Sequence, residues 1–257
     1  MPLLTAKELT IKIAHTIICH AFDFTLKKGD CVGILGLNGS GKTTLLHTLA
    51  GLILPASGHI DLQEKKLTHY SSKEMARIRG ILLQDTPIFF PETVLDFCLH
   101  GRYPHLNFFQ ALSKHDKDIA REALCLMNLL KKEAQNVETL SGGERRRLAI
   151  AALLTQTPQI YLLDEPTNHL DWPHQIKILN YFSDLAKKNL AGVMMTLHDV
   201  NFAKEYCNKV VLLLKNGEVL TGDTKTLITK ENMAKVYETN MTNLGYAAAS
   251  SCIILGE

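Results

Sequence analysis

Gly36-Leu37-Asn38-Gly39-Ser40-Gly41-Lys42-Thr43-Thr44 is the stretch on which the reading of this chain turns. The five residues before it, Cys31-Val32-Gly33-Ile34-Leu35, are apolar and β-prone, as a buried strand requires. The residues after Lys42, from Thr43 to Gly51, carry Leu45, Leu46 and Leu49 at helical spacing and stop at a glycine. Between a strand and a helix, G-x-x-x-x-G-K-[ST] is a phosphate cradle. Gly36, Gly39 and Gly41, with Asn38 and Ser40 between them, let the backbone turn back and aim successive N–H groups inward, an anion nest at a helix N-terminus. Lys42 adds a point charge for the β- and γ-phosphates, the Thr43 hydroxyl can ligate Mg²⁺, and Thr44 completes the turn. The bland alternative is a tight glycine turn with no ligand. Strand, helix, lysine and threonine together argue against it and predict a nucleoside triphosphate site.

Working outward, a length of 257 residues suits one large domain or one domain with an inserted lobe. A 46% hydrophobic composition is ample for a sizeable core, and a net charge of +2 gives no argument for nucleic acid. The six cysteines (19, 31, 98, 125, 207, 252) form no C-x-x-C pair, and several sit inside apolar runs. Buried reduced thiols are therefore expected, which fits a reducing cytoplasm. The N-terminus lacks the apolar core of a signal peptide, and no apolar run approaches the roughly 20 residues of a membrane helix. Work at a membrane would depend on a partner.

Residues 9–35 read as strands, with Leu9, Ile11 and Ile13 alternating with polar residues and Phe22, Phe24 and Leu26 doing the same. Ile60 and Leu62 follow a turn, and Ile81-Leu82-Leu83 is a strand running into Gln84. From Pro87 to about Thr155 the texture becomes helical, first around Val94 to Cys98 and then from Ser113 to Asn128, which predicts an inserted lobe. Strand–helix alternation resumes with Ile160 to Leu163, a helix near 174–188, a strand Val193 to Leu197 and a helix near 200–207. A hairpin then pairs Val210 to Leu214 with Glu218 to Leu220 through Asn216-Gly217. The last 17 residues are apolar and carry no readable chemistry.

Two further motifs carry chemistry. Ile160-Tyr161-Leu162-Leu163-Asp164-Glu165 is an apolar strand ending in paired carboxylates, and ligands of parallel sheets collect at such strand ends. Asp164 there can hold Mg²⁺, while Glu165 points elsewhere and can polarise an attacking water. Alone, the run is equally well a strand-end turn. Beside the phosphate loop it gains meaning. Leu140-Ser141-Gly142-Gly143-Glu144 opens a helix from Arg145 to Leu154. Ser141 and Glu144 have capping-box spacing, which explains them structurally. The same glycine-flanked helix N-terminus is also a second phosphate site, one a single chain does not need unless it serves a second subunit. Arg145-Arg146-Arg147 reads as a solvated helix face.

The phosphate loop, Gln84, the LSGGE segment, Asp164-Glu165 and His198 in Thr196-Leu197-His198-Asp199 occur in one order over about residues 5–235, and together they resemble the ATPase subunit of an ABC transporter. The resemblance implies an α/β fold: a P-loop NTPase (ABC ATPase) core with an N-terminal antiparallel β-subdomain and an inserted helical subdomain. As a single domain, residues 1–86 and 156–238 would be the nucleotide-binding core, 87–155 the helical signature subdomain and 239–257 a C-terminal tail. It implies ATP and Mg²⁺ as cofactors, the metal held by Thr43, Gln84 and Asp164. It also implies catalysis by Glu165 as general base, with His198 and Lys42 on the γ-phosphate. In a homodimer each ATP would meet the partner's Ser141, Gly142, Gly143 and Glu144, with Asp171 in the crossing segment Asn168-His169-Leu170-Asp171. The implied place is the cytoplasmic face of the inner or plasma membrane. There it would be peripheral through an integral-membrane permease, indirectly served by a periplasmic or surface binding protein, with no nucleic acid. The position that family fills with an adenine-stacking aromatic is Ile13 here, with His15 the nearest flat side chain. Thr93-Val94-Leu95-Asp96 and Gly101-Arg102-Tyr103-Pro104-His105 are similar to importers of iron–siderophore, haem and cobalamin chelates. Pro87-Ile88-Phe89-Phe90-Pro91, on the surface joining Gln84 to His105, is where such a permease would dock. A soluble ABC-type ATPase acting on ribosomes or DNA is the rival, but it usually carries two nucleotide domains or a coiled-coil insertion. A small-molecule phosphate-loop kinase has no use for the LSGGE segment.

Overall fold

A computed structural model describes residues 1–14, 16–84 and 91–238. His15, the Phe89-Phe90 docking run and the tail 239–257 lie outside the described residues.

The alternating N-terminal sequence forms long strands β1 (Pro2–Ile13) and β2 (Thr16–Lys27), followed by β3 (Cys31–Gly36). Then come α1 (Lys42–Leu49), β4 (Ser57–Leu62) and the short β5 (Lys65–Lys66). α2 (Ser72–Ile78), opened by a capping box on Ser71 and Glu74, leads into β6 (Arg79–Leu82). Three helices follow: α3 (Val94–Leu99), α4 (Lys114–Leu126) and α5 (Gly142–Gln156). The chain continues with β7 (Ile160–Leu163), α6 (Trp172–Lys187), β8 (Gly192–Thr196) and α7 (Val200–Tyr206). It closes with the hairpin β9 (Lys209–Leu213) and β10 (Val219–Asp223), then α8 (Thr224–Leu227) and α9 (Lys230–Tyr237).

The strands form two sheets, an antiparallel β2-β1-β4-β5 and a six-stranded β10-β9-β3-β8-β7-β6. In the second sheet every pairing from β9 to β6 is parallel, and only β10 runs against it. Parallel strands covered on both faces read as unbroken apolar runs, and their residues divide alternately between two cores. Cys31 and Leu35 of β3, Tyr161 and Leu163 of β7 and Val193 and Met195 of β8 join the core shared with the helices. Val32, Ile34, Ile160, Leu162 and Met194 join the core shared with α1 and the antiparallel sheet.

β3, β6, β7 and β8 point the same way and end at Gly36, Leu82, Leu163 and Thr196. The phosphate loop, Gln84, Asp164-Glu165 and His198 therefore start within two residues of four neighbouring strand ends.

Helices α3 to α5 pack together through Val94, Cys98, Ala120, Leu124, Leu148 and Ala151. Gly101-Arg102-Tyr103-Pro104-His105 lies in a 3₁₀ helix, His100–His105, that clasps the end of α5. A Cβ on Gly101 would lie 2.3 Å from the Ala152 carbonyl oxygen. Arg102 Nε donates to Asp116 Oδ1 at 2.8 Å and its Nη1 to the Thr155 carbonyl at 3.1 Å, while His105 Nε2 meets the Gln156 carbonyl at 2.9 Å.

Candidate active site

At the phosphate loop the backbone takes the turn only glycine makes easily. Gly41, the residue before α1, has φ +96, and a Cβ there would lie 2.3 Å from Ile18 Cγ2. A Cβ on Gly36 would lie 2.5 Å from the Ser40 hydroxyl. Lys42 folds back over the loop, its Nζ donating to the carbonyls of Gly36 and Leu37 at 3.0 Å each. Burial pulls its pKa below the ordinary lysine value, against the opposing pull of Glu165 and Asp164.

These residues line a cleft of about 530 Å³. It is lined by Asn38, Gly39, Gly41, Lys42, Thr43 and Thr44 of the loop and α1, by Ile13 and Ile18, and by Gln84, Glu165 and His198. Gly36 and Ser40 are not among the residues lining this cleft; Gly36 accepts from Lys42 through its carbonyl, and Ser40 lines a neighbouring cavity with Leu37, Asn38 and Gly39. Asp164 is wholly buried beside Thr43, and its Oδ1 accepts hydrogen bonds from the Thr43 hydroxyl at 3.1 Å and the Thr196 hydroxyl at 2.8 Å. Glu165 has φ +47, a rare backbone state for a non-glycine residue, and this reversal sends its carboxylate away from that of Asp164. His198 Nε2 meets Glu165 Oε1 at 2.6 Å; Oε2 accepts from Gln84 Nε2 at 3.4 Å and from the Asn168 amide.

The oxygens of Thr43, Gln84 and Asp164 are the hard donors that suit Mg²⁺. Among the described residues no cluster of three or more His, Cys, Asp or Glu side chains could close on a metal alone.

Ser141, Gly143, Glu144 and Asp171 are not brought to this cleft. They line another of about 290 Å³, with Arg147, His169, Leu170 and His174. Gly142 faces open space, and a Cβ on Gly143 would lie 3.0 Å from the His169 carbonyl oxygen. The capping box is present: Ser141 Oγ accepts from Glu144 N at 3.3 Å and Glu144 Oε2 from Ser141 N at 3.1 Å. Lys132, 2.6 Å from Glu144, is the main cause of that carboxyl's lowered pKa, with the Ser141 backbone bond second.

One expectation fails. Arg145-Arg146-Arg147 is not a solvated face, because Arg146 is buried and its guanidinium donates to the carbonyls of Leu83, Gln84, Asp164 and Glu165. Arg145 and Arg147 also bond to backbone carbonyls, of Leu140 and Glu138 and of Met127. The signal lay in the helical register, since Arg146 shares a face with the buried Ile150 and Leu153 at i, i+4 and i+7.

A sequence profile of the ABC transporter family matches residues 19–168, more than half of the chain. The chain belongs to the ABC transporter family. This ABC chain is 36% identical over 234 residues to the ferric enterobactin transport ATP-binding protein FepC of Escherichia coli (strain K12), covering 91% of this chain and 86% of that protein. It is 34% identical over 233 residues to the hemin import ATP-binding protein HmuV of Nocardia farcinica, covering 91% and 80%. Among solved structures it resembles an ABC transporter described as metal-chelate type in an inward-facing conformation, with a TM-score of 0.79, 31% identity and coverage of 93% and 90%. It also resembles the dimeric ATP-binding cassette MJ0796 bound to ADP and Pi, with a TM-score of 0.74, 26% identity and coverage of 86% and 98%. The fold is therefore that of an ABC ATPase cassette.

Three residues to which the sequence reading gave no role in this cleft complete the cassette: Ile18, which it did not name, and Asn168 and Thr196, which it quoted only within longer segments. Ile18 lines the cleft with Ile13, Asn168 holds the Glu165 carboxylate, and the Thr196 hydroxyl receives Glu165 N at 2.7 Å while donating to Asp164.

Proposed function

We propose that this chain is the ATP-hydrolysing subunit of an importer for an iron chelate such as a siderophore or haem, or for cobalamin. The observation that carries it is the separation of two half-sites: a complete phosphate cradle with its carboxylates in one cleft, and a serine–glycine helix N-terminus in another. Within one chain the second has no phosphate to bind. Two copies facing head to tail would give each cradle its missing wall, the partner's Ser141, Gly142, Gly143 and Glu144, with Asp171 alongside. Residues 1–86 and 156–238 then act as the nucleotide core, and 87–155 as the signature lobe.

In the composite site Gly36 to Thr44 hold the phosphates through backbone N–H groups, and Lys42 exchanges the loop carbonyls for the β- and γ-phosphates. Mg²⁺, held by Thr43, Gln84 and Asp164, would supply charge neutralisation at the phosphate oxygens. Glu165 takes a proton from the attacking water, and His198 leaves Glu165 to hold the γ-phosphate. Adenine rests on Ile13 and Ile18, with His15 adjacent in sequence. Similarity to FepC, HmuV and the metal-chelate type transporter supports the importer reading and the class of cargo. None of the described helices is long and apolar enough to cross a membrane, which is compatible with peripheral attachment to a permease at the cytoplasmic face. The inserted lobe supports such docking with exposed aromatics at Tyr103, Phe108 and Phe109. A substrate-binding protein would act through that permease.

Mixing two inactive variants tests the shared site. Ser141→Arg places a bulky cation where the partner's γ-phosphate would lie, and Lys42→Ala removes the cradle's charge. Each should be inactive alone, whereas mixed heterodimers retain one intact composite site and recover part of the ATPase activity. Normal ATP hydrolysis by a monomeric Ser141→Arg protein would leave Ser141 with its capping role only.

A further inference from the structure

Beside the nucleotide cleft, two buried polar atoms face each other and neither has a hydrogen-bond partner among the described residues. Thr43 and His47 stand four residues apart on α1, so they share one helix face. That face is turned toward Asp164. Thr43 and Thr196 both donate to Asp164 Oδ1. The other oxygen, Oδ2, lies 3.6 Å from His47 Nε2. Both atoms are shielded from solvent. The Asp164 side chain is fully buried and that of His47 is 21% exposed.

A buried polar atom left unsatisfied is costly, and more so when charged. The gap is slightly longer than a hydrogen bond and too short for an inserted water, whose two legs of about 2.8 Å would hold the atoms roughly 4.5 Å apart. A sub-ångström shift of the imidazole closes it directly. His47 is not among the residues that line the cleft.

We infer that His47 is a positioning residue for Asp164: its Nε2–H donates to Oδ2 in the loaded site and holds the carboxylate with Oδ1 and the Thr43 hydroxyl toward Mg²⁺. The inference rests on the nucleotide reading of the cleft. Groups that orient a metal's ligands in this way typically contribute about 10–100-fold in metal affinity or activity.

The test reads binding. The full chain, His47→Leu and His47→Gln are each titrated with MgCl₂ at a fixed concentration of a fluorescent ATP analogue, and separately with that analogue in EDTA. His47→Leu should raise the Mg²⁺ concentration for half-maximal binding about tenfold or more, with unchanged affinity in EDTA. His47→Gln, whose side-chain amide can donate to the same oxygen, should recover most of that loss. Wild-type Mg²⁺ dependence in His47→Leu overturns the inference, as does an equal loss in the Leu and Gln variants, which would mark a packing role. Absence of Mg²⁺-dependent binding in the wild type would overturn the reading of the cleft itself, and this inference with it.

Discussion

At the scale of single residues, the apolar lining of the cleft is aliphatic, supplied by Ile13 and Ile18. Ile13 is 48% exposed on β1, and Ile18 packs over the Cα of Gly41. Neither offers a flat face for a base. Aromatic–base stacking is worth about 1–3 kcal/mol in nucleic-acid sites, and branched aliphatic side chains supply less. GTP is accordingly expected to bind within about tenfold of ATP, a gap of about 1.4 kcal/mol, and Ile13→Tyr should tighten ATP binding. Competition titration of both nucleotides checks this; a much stronger preference for ATP in the wild type would mean that another residue reads the base. Ile13 was legible only through the family resemblance, since strand alternation by itself groups it with the buried Leu9 and Ile11. Ile18 was not, because its contact with the loop depends on a glycine having no side chain.

Elements show why a motif with a functional resemblance can also be a structural joint. Gly101 to His105 clasp α5, and the clasp centres on Arg102 and Asp116, both buried and 2.8 Å apart. Ser113 first, then Arg102, holds the Asp116 carboxyl well below the usual carboxylate range. Removing one member of a buried pair typically costs roughly 3–5 kcal/mol, so Asp116→Ala should destabilise the chain by that order in urea unfolding. Because the folded-state pKa of Asp116 lies below its unfolded value, its contribution is present above about pH 4. It is lost as pH falls toward the folded value, and the Ala variant should lack that part of the acid dependence. Strands were readable because both faces of the parallel sheet are covered, leaving long apolar runs. α2, α8 and α9 were not, being short and carrying few buried residues. The arginine triplet misled because charge suggests surface, whereas Arg146 is buried and donates to carbonyls at two strand ends.

For the whole molecule, that guanidinium links the two clefts. α5 begins at the serine–glycine turn and, one turn later, reaches through Arg146 to the ends of β6 and β7, which carry Gln84 and Asp164-Glu165. A shift of the signature helix against a partner copy would thus be felt directly at the strand ends of the same chain's nucleotide site. The order of motifs made this cassette legible from sequence. The separation of Lys42 and Ser141 into two clefts was expected through the family resemblance, since nothing in their spacing says whether they meet within one chain or between two. The central claim, that Glu165 is the base in a site closed by a second copy, is tested most directly by Glu165→Gln. Steady-state ATP turnover and size exclusion with ATP and Mg²⁺ are measured on the same preparation. The expected result is a loss of about 10²–10⁴-fold in rate with ATP affinity kept and an ATP-bound dimer accumulating. Hydrolysis near the wild-type rate by a protein that stays monomeric would contradict it.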